Sequence, residues 1–89
     1  MTTAGNLLTE TVNLRTGHIR AQGHLTGPGA DLLRGTVDSL RDSGHSQVVL
    51  DLEGVLDADD AGLAILSTLR RSFSEAGGQL FIRNAPARD

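Results

Sequence analysis

Cysteine, lysine, tryptophan and tyrosine are all missing from this 89-residue chain, and two phenylalanines are its only aromatic side chains. Without cysteine there is no disulfide framework, no thiolate metal site and no cysteine nucleophile, a composition that suits a cytoplasmic protein. Without lysine every cation is an arginine, and the formal charge is −3. Nucleic-acid binding draws on a basic surface, and single-strand binders add stacking aromatics; both signals are missing, so no nucleic-acid partner is expected. No apolar run reaches membrane-spanning length, and Met1 to Asn6 has neither the basic start nor the apolar centre of a signal peptide. Direct membrane insertion is therefore not expected either.

What remains is a chain with room for one domain, about one sheet and two or three helices. Residues 1–9 are expected to fray, 10–84 to form the domain and 85–89 to trail as a short tail. Glu10 to Arg15 alternates, Thr16-Gly17 reads as a turn, and His18 to Leu25 alternates again, which predicts an antiparallel hairpin. The alternation puts Val12, Leu14, Ile19, Ala21 and Leu25 on one face. Asn13, Arg15, His18, Arg20, Gln22 and His24 fall on the other, so the sheet should be covered on one side only.

Thr26-Gly27-Pro28-Gly29 breaks the second strand, and Ala30 to Ser43 follows as a helix with Ala30, Leu33, Val37 and Leu40 on one stripe and Gly44 as its stop. Gln47 to Leu52 is a third strand, with Val48, Leu50 and Leu52 inward and Val49 and Asp51 on the open face. A second helix from about Asp60 to Ala76 places Leu66, Leu69, Phe73 and Ala76 inward, Gly77-Gly78 ends it, and Gln79 to Arg83 forms a fourth strand. The pattern is ββαβαβ. Right-handed crossovers put both helices on one face if the strands lie in the order 1-2-3-4, giving a mostly parallel four-stranded α/β sheet.

The joint between the third strand and second helix concentrates the informative residues. Between Leu52 and Leu63 a turn is expected, carrying Asp57, Asp59 and Asp60. A helix N-terminus carries roughly +0.5 of a charge and unpartnered N–H groups, so Asp59 or Asp60 serves as a cap and an acidic start is expected on stability grounds alone. Gly62 costs the helix about 1 kcal/mol relative to Ala, which makes sense where backbone must approach something closely, either the sheet or a partner.

At Val48-Val49-Leu50-Asp51-Leu52 and Asp59-Asp60-Ala61-Gly62-Leu63 the chain resembles the STAS family, the domain of anti-sigma-factor antagonists and of related bacterial and transporter regulators. The usual pattern there is an apolar strand ending Asp-Leu, a short loop, then Asp-Ser-Ser-Gly-Leu at a helix start. Gly23-His24-Leu25 followed by Ala30 to Leu33, and Gly77-Gly78-Gln79-Leu80, are similar to other parts of the pattern, and the likeness spans Glu10 to Asn84. In that family the second serine is phosphorylated by a partner anti-sigma kinase, which breaks the complex. The resemblance puts Ala61, which has no hydroxyl, at that place and Asp60 at the first serine. Either Asp60 keeps a negative charge that locks one state, or this member docks with no such switch; the second reading is preferred, because a carboxylate one residue earlier points differently from a phosphate on the next side chain. STAS domains also usually continue into another helix, whereas six residues follow Arg83 here, which implies a homodimer or an obligate complex.

Other chemistries find little support. Asp57, Asp59 and Asp60 lack the spacing of a calcium loop, and His18 and His24, about 20 Å apart at strand rise, cannot share one ion, so no metal is expected. His45 has no evident partner. There is no P-loop, no dinucleotide fingerprint, no lysine for a receiver-type phosphoacceptor site and no grouped nucleophile and base. The expectation is a protein without catalytic residues or cofactor that acts in transcription regulation by binding. Its working surface would be Asp59, Asp60, Ala61, Gly62 and Leu63 with His24 and Thr26, presented to a kinase-type anti-sigma factor. The alternative partner is the ATPase of an ABC-type lipid transporter, with the chain as a cytoplasmic accessory subunit.

Overall fold

The computed structural model describes residues 8–85. Strands β1 (Leu8–Asn13) and β2 (His18–Leu25) form the hairpin, helix α1 (Gly27–Asp42) crosses to β3 (Gln47–Ala58), and helix α2 (Asp60–Glu75) crosses to β4 (Gln79–Arg83). The sheet order is β1-β2-β3-β4, with β1 antiparallel to β2 and the other two pairings parallel. This is the ββαβαβ arrangement expected.

The inward stripes pack as read. Ile19, Ala21 and Leu25 from β2, Ala30, Leu33, Val37 and Leu40 from α1, Val48, Leu50 and Leu52 from β3, and Leu66, Leu69 and Phe73 from α2 are all buried in one cluster. The helices lie together on that face. Gly44 and Gly77 adopt positive φ just beyond the two helices, where a Cβ would be strained.

Several local expectations are corrected. The hairpin turn takes four residues, Leu14 to Gly17, because Asn13 Oδ1 accepts the N–H groups of Arg15 and Thr16 while Gly17 N–H donates to Asn13 O. Leu14 therefore leaves the strand before its turn to face inward and stands 73% exposed, and its carbonyl accepts from His45 Nε2 at 2.8 Å, so His45 has a partner after all. Strand β1 starts at Leu8, which is buried against Gly29. Helix α1 starts three residues earlier than expected, because Thr26 is its cap and Pro28 sits in its first turn, where a missing N–H costs nothing. Ala76 is the exposed C-cap of α2 rather than a core residue.

The largest difference concerns β3. Residues 53 to 58, expected as a turn, continue the strand beside β2 to Ala58. Two register shifts make this possible: β3 carries one more residue than β2 between Asp51 and Gly54, and again between Val55 and Asp57. Each extra residue inverts the in-out alternation, so Leu52 and Val55 both point to the core despite odd spacing.

Candidate functional site

Both parallel strands end at the same rim of the sheet, where β2 turns into α1 and β3 into α2. Thr26 has extended backbone and accepts the N–H of Gly29 on its hydroxyl at 3.2 Å; Asp59, equally extended, accepts the N–H of Gly62 on its carboxylate at 2.7 Å. Asp59, not Asp60, is thus the cap of α2. Asp60 occupies the first turn of that helix, where its charge complements the dipole.

The two junctions are fastened to each other. Asp59 N–H donates to Leu25 O at 3.1 Å, and a Cβ on Gly62 would stand 2.5 Å from that same carbonyl oxygen. The close approach suspected for Gly62 is therefore to the sheet. A Cβ on Gly27 would stand 3.3 Å from Ala61 Cβ, which puts the first turns of α1 and α2 side by side. Of the residues singled out from sequence, Asp59, Asp60 and Ala61 are exposed, Thr26 and Leu63 half-buried and Gly62 buried. Thr26 and the Asp59–Leu63 turn share the helix-side rim.

His24 lies one residue before Leu25 on the open face of the sheet. It pairs in register with Asp57, and its Nδ1 donates to Asp57 Oδ1 at 2.7 Å. The pair bridges β2 and β3 after the second register shift, a contact sequence spacing could not show because Asp57 was placed in a turn. Both partners are well exposed, so the interaction is solvent-screened. Among the described residues no group of three or more His, Cys, Asp and Glu side chains is arranged to hold a metal ion.

Farther back on the open face, Asp51 lies between Arg20 and Arg83 in register, largely covered despite its charge. Asn84 Nδ2 donates to its Oδ1 at 2.9 Å, and Glu53 N–H donates to the same oxygen at 3.0 Å. These bonds, the Asn84 amide first, hold the Asp51 carboxyl below its ordinary range, helped by the two arginines and opposed by burial. The Glu53 bond also folds the backbone where β3 gains its first extra residue. Asp51 thus shapes the approach to the rim without standing on it.

No helix among the described residues is long and apolar enough to cross a membrane. Comparison with curated protein sequences finds no match. Among the solved structures that are similar are the following two. One, described as "Crystal Structure Analysis of Mglu", has 25% identity and a TM-score of 0.67, the likeness covering 80% of this chain and 17% of that one. The other is the anti-sigma factor antagonist SpoIIAA in its unphosphorylated form, at 12% identity and a TM-score of 0.65, covering 90% of this chain and 74% of that one. This second likeness shows a shared fold. The present chain spans only about a sixth of the Mglu structure, as its 17% coverage states. A family model described as "Mlab, STAS domain" matches residues 8–88, nearly the whole sequence, and with the ββαβαβ fold and the capped Asp59–Leu63 turn in place, the chain belongs to the STAS domain family.

Proposed function

We propose that this STAS domain works by binding rather than catalysis, as an anti-sigma-factor antagonist that docks its α2 tip on a kinase-type anti-sigma factor and so frees the sigma factor. The observation that supports this reading most directly is the fastening of the α2 start to Leu25, through the Asp59 N–H bond and the close approach of Gly62, which holds exposed Asp60 and Ala61 at a fixed rim beside Gly27. A surface whose shape is set before binding loses little conformational freedom on docking. Ala61 offers no hydroxyl, so release by phosphorylation at that side chain is not part of the scheme.

Replacement of Ala61 by aspartate tests the surface. Its side chain is exposed, so Ala61→Asp should leave the thermal midpoint nearly unchanged while weakening anti-sigma-factor binding about tenfold or more, roughly 1.4 kcal/mol, by calorimetry. Unchanged affinity would move the interface elsewhere. Ala61→Ser sharpens the family register: with the partner kinase and ATP, this variant should take up phosphate at residue 61 and the unaltered chain should not.

The missing hydroxyl also favours a second reading, since the STAS resemblance includes proteins without the phosphorylated serine that serve as accessory subunits of ABC-type lipid transporters. Co-purification with a transporter ATPase, lost in Ala61→Asp, would select it over the first.

A further inference from the structure

We propose that the outer edge of β3 from Leu52 to Ala58 seats an extended, cationic segment of the protein partner, paired to it as an added strand. The proposal rests on the binding reading above and names how that partner is held. Strand β3 is twelve residues long and β2 lines one edge of it as far as Ala58, but β4 pairs only with Gln47 to Asp51 on the other. Strand β4 ends at Arg83, and Asn84 next to it has a φ of 56° and an amide that donates to Asp51. Among the described residues no strand pairs with the remaining seven on that side, a length of about 23 Å at strand rise.

Unpaired edges template further pairing, and proteins usually blunt them with charge, proline or a bulge. This edge has bulges and two carboxylates, Glu53 and Asp57, yet between them stands Leu56, 75% exposed. One exposed leucine is ordinary on a surface; on an unpaired edge it is the side chain protection would remove. From residue 53 to residue 69 there is no arginine or lysine, while Glu53, Asp57, Asp59 and Asp60 fall within that span. A second copy pairing through the same edge would bring Glu53 and Asp57 against their like. A cationic strand meets complementary charge, its backbone supplies the ladder bonds, and an apolar residue on it covers Leu56.

The probe is a capped Arg-Val-Arg-Val-Arg-Val peptide added to the full chain, with binding followed by calorimetry and by amide hydrogen exchange. The expected result is saturable binding with slowed exchange within residues 52–58. Alternate N-methylation of the peptide backbone should weaken it about tenfold or more, as should replacing its arginines by glutamate, and Leu56→Ser and Glu53→Lys should each weaken it severalfold. Because the peptide variants leave the protein unaltered, a misfolded mutant cannot obscure the result. Absence of binding, protection on β1 or β4 instead, indifference to N-methylation, or concentration-dependent self-association through this edge would each overturn the proposal. If Ala61→Asp abolishes anti-sigma-factor binding while the peptide leaves residues 52–58 unprotected, this inference fails and the functional reading stands. Edge protection in a chain that binds no anti-sigma factor supports the inference and rejects that partner alone.

Discussion

Thr26 caps α1 and Asp59 caps α2, each receiving the N–H of a glycine three residues on, yet the two glycines face different neighbours. A Cβ on Gly29 would meet the side chain of Leu8 at 3.2 Å, at the edge of the sheet, whereas a Cβ on Gly62 would meet the Leu25 carbonyl oxygen at 2.5 Å. Leu8, whose Cβ and Cδ2 both lie at that distance, stands on the edge strand and would have to give only a few tenths of an ångström; the Leu25 carbonyl, on an inner strand and bonded to Asp59 N–H, would have to give far more and is held in place. The same cap-and-glycine device therefore makes an adaptable junction at α1 and an unyielding one at α2. The caps differ in the same sense, since α1 has a neutral hydroxyl and no acidic residue in its first turn, while α2 has two carboxylates at its start.

The widest separation between the junctions should come from Gly62→Ala. Overpacking against backbone outweighs the gain in helix propensity, so a net loss of about 1–3 kcal/mol is expected in urea denaturation. At about 4–8 °C per kcal/mol for a domain of this size, the thermal midpoint should fall plainly. A loss no greater than that of Gly29→Ala would erase the contrast.

Next comes the way β3 reaches its junction. Because the Asp51 carboxyl is held below its ordinary range, its contribution is present above the unfolded value of about 3.9 and is lost as pH falls through the lower folded value. Asp51→Asn should reduce stability at neutral pH and flatten the acid limb of a stability-against-pH curve relative to the unaltered chain. Two parallel curves would mean that the carboxylate is not what secures that bend.

Smaller effects come from the caps. Asp59→Ala should cost about 1 kcal/mol and Thr26→Ala about half that, the first cap being charged and the shorter bond, with denaturant midpoints as the measure. Gly29→Ala should change stability by less than about 0.5 kcal/mol, the helix gain offsetting the displacement of Leu8.

Much of this could be read from residue order. The strands β2 and β4, the start of α2 and the buried stripes of both helices follow from alternation, helical spacing and the glycines that stop each helix, and the one-sided sheet follows from β2 alone. What escaped was set by contacts between residues far apart in sequence or by single side chains bonding locally. The alternation of β3 breaks at Glu53 and Leu56, so a strand looked like a turn until its register with β2 was known. Asn13 pulls Leu14 out of β1 through its own side chain, and Thr26 starts α1 ahead of a proline that reads as an interruption. At the rim, Gly62 could be flagged as a close approach, but the choice between sheet and partner needed the position of Leu25. His24 and Asp57 are 33 residues apart in sequence, and nothing local announces their pairing.

The Leu25 carbonyl receives Asp59 N–H and abuts Gly62, while Leu25 itself leads directly through Thr26 into α1. A tug on either helix is consequently transmitted through one oxygen to the root of the other, like two levers on a common pivot. A ligand that grips α2 alone should slow amide exchange in the opening turn of α1 as well, a remote stiffening that an independently mounted helix would not display.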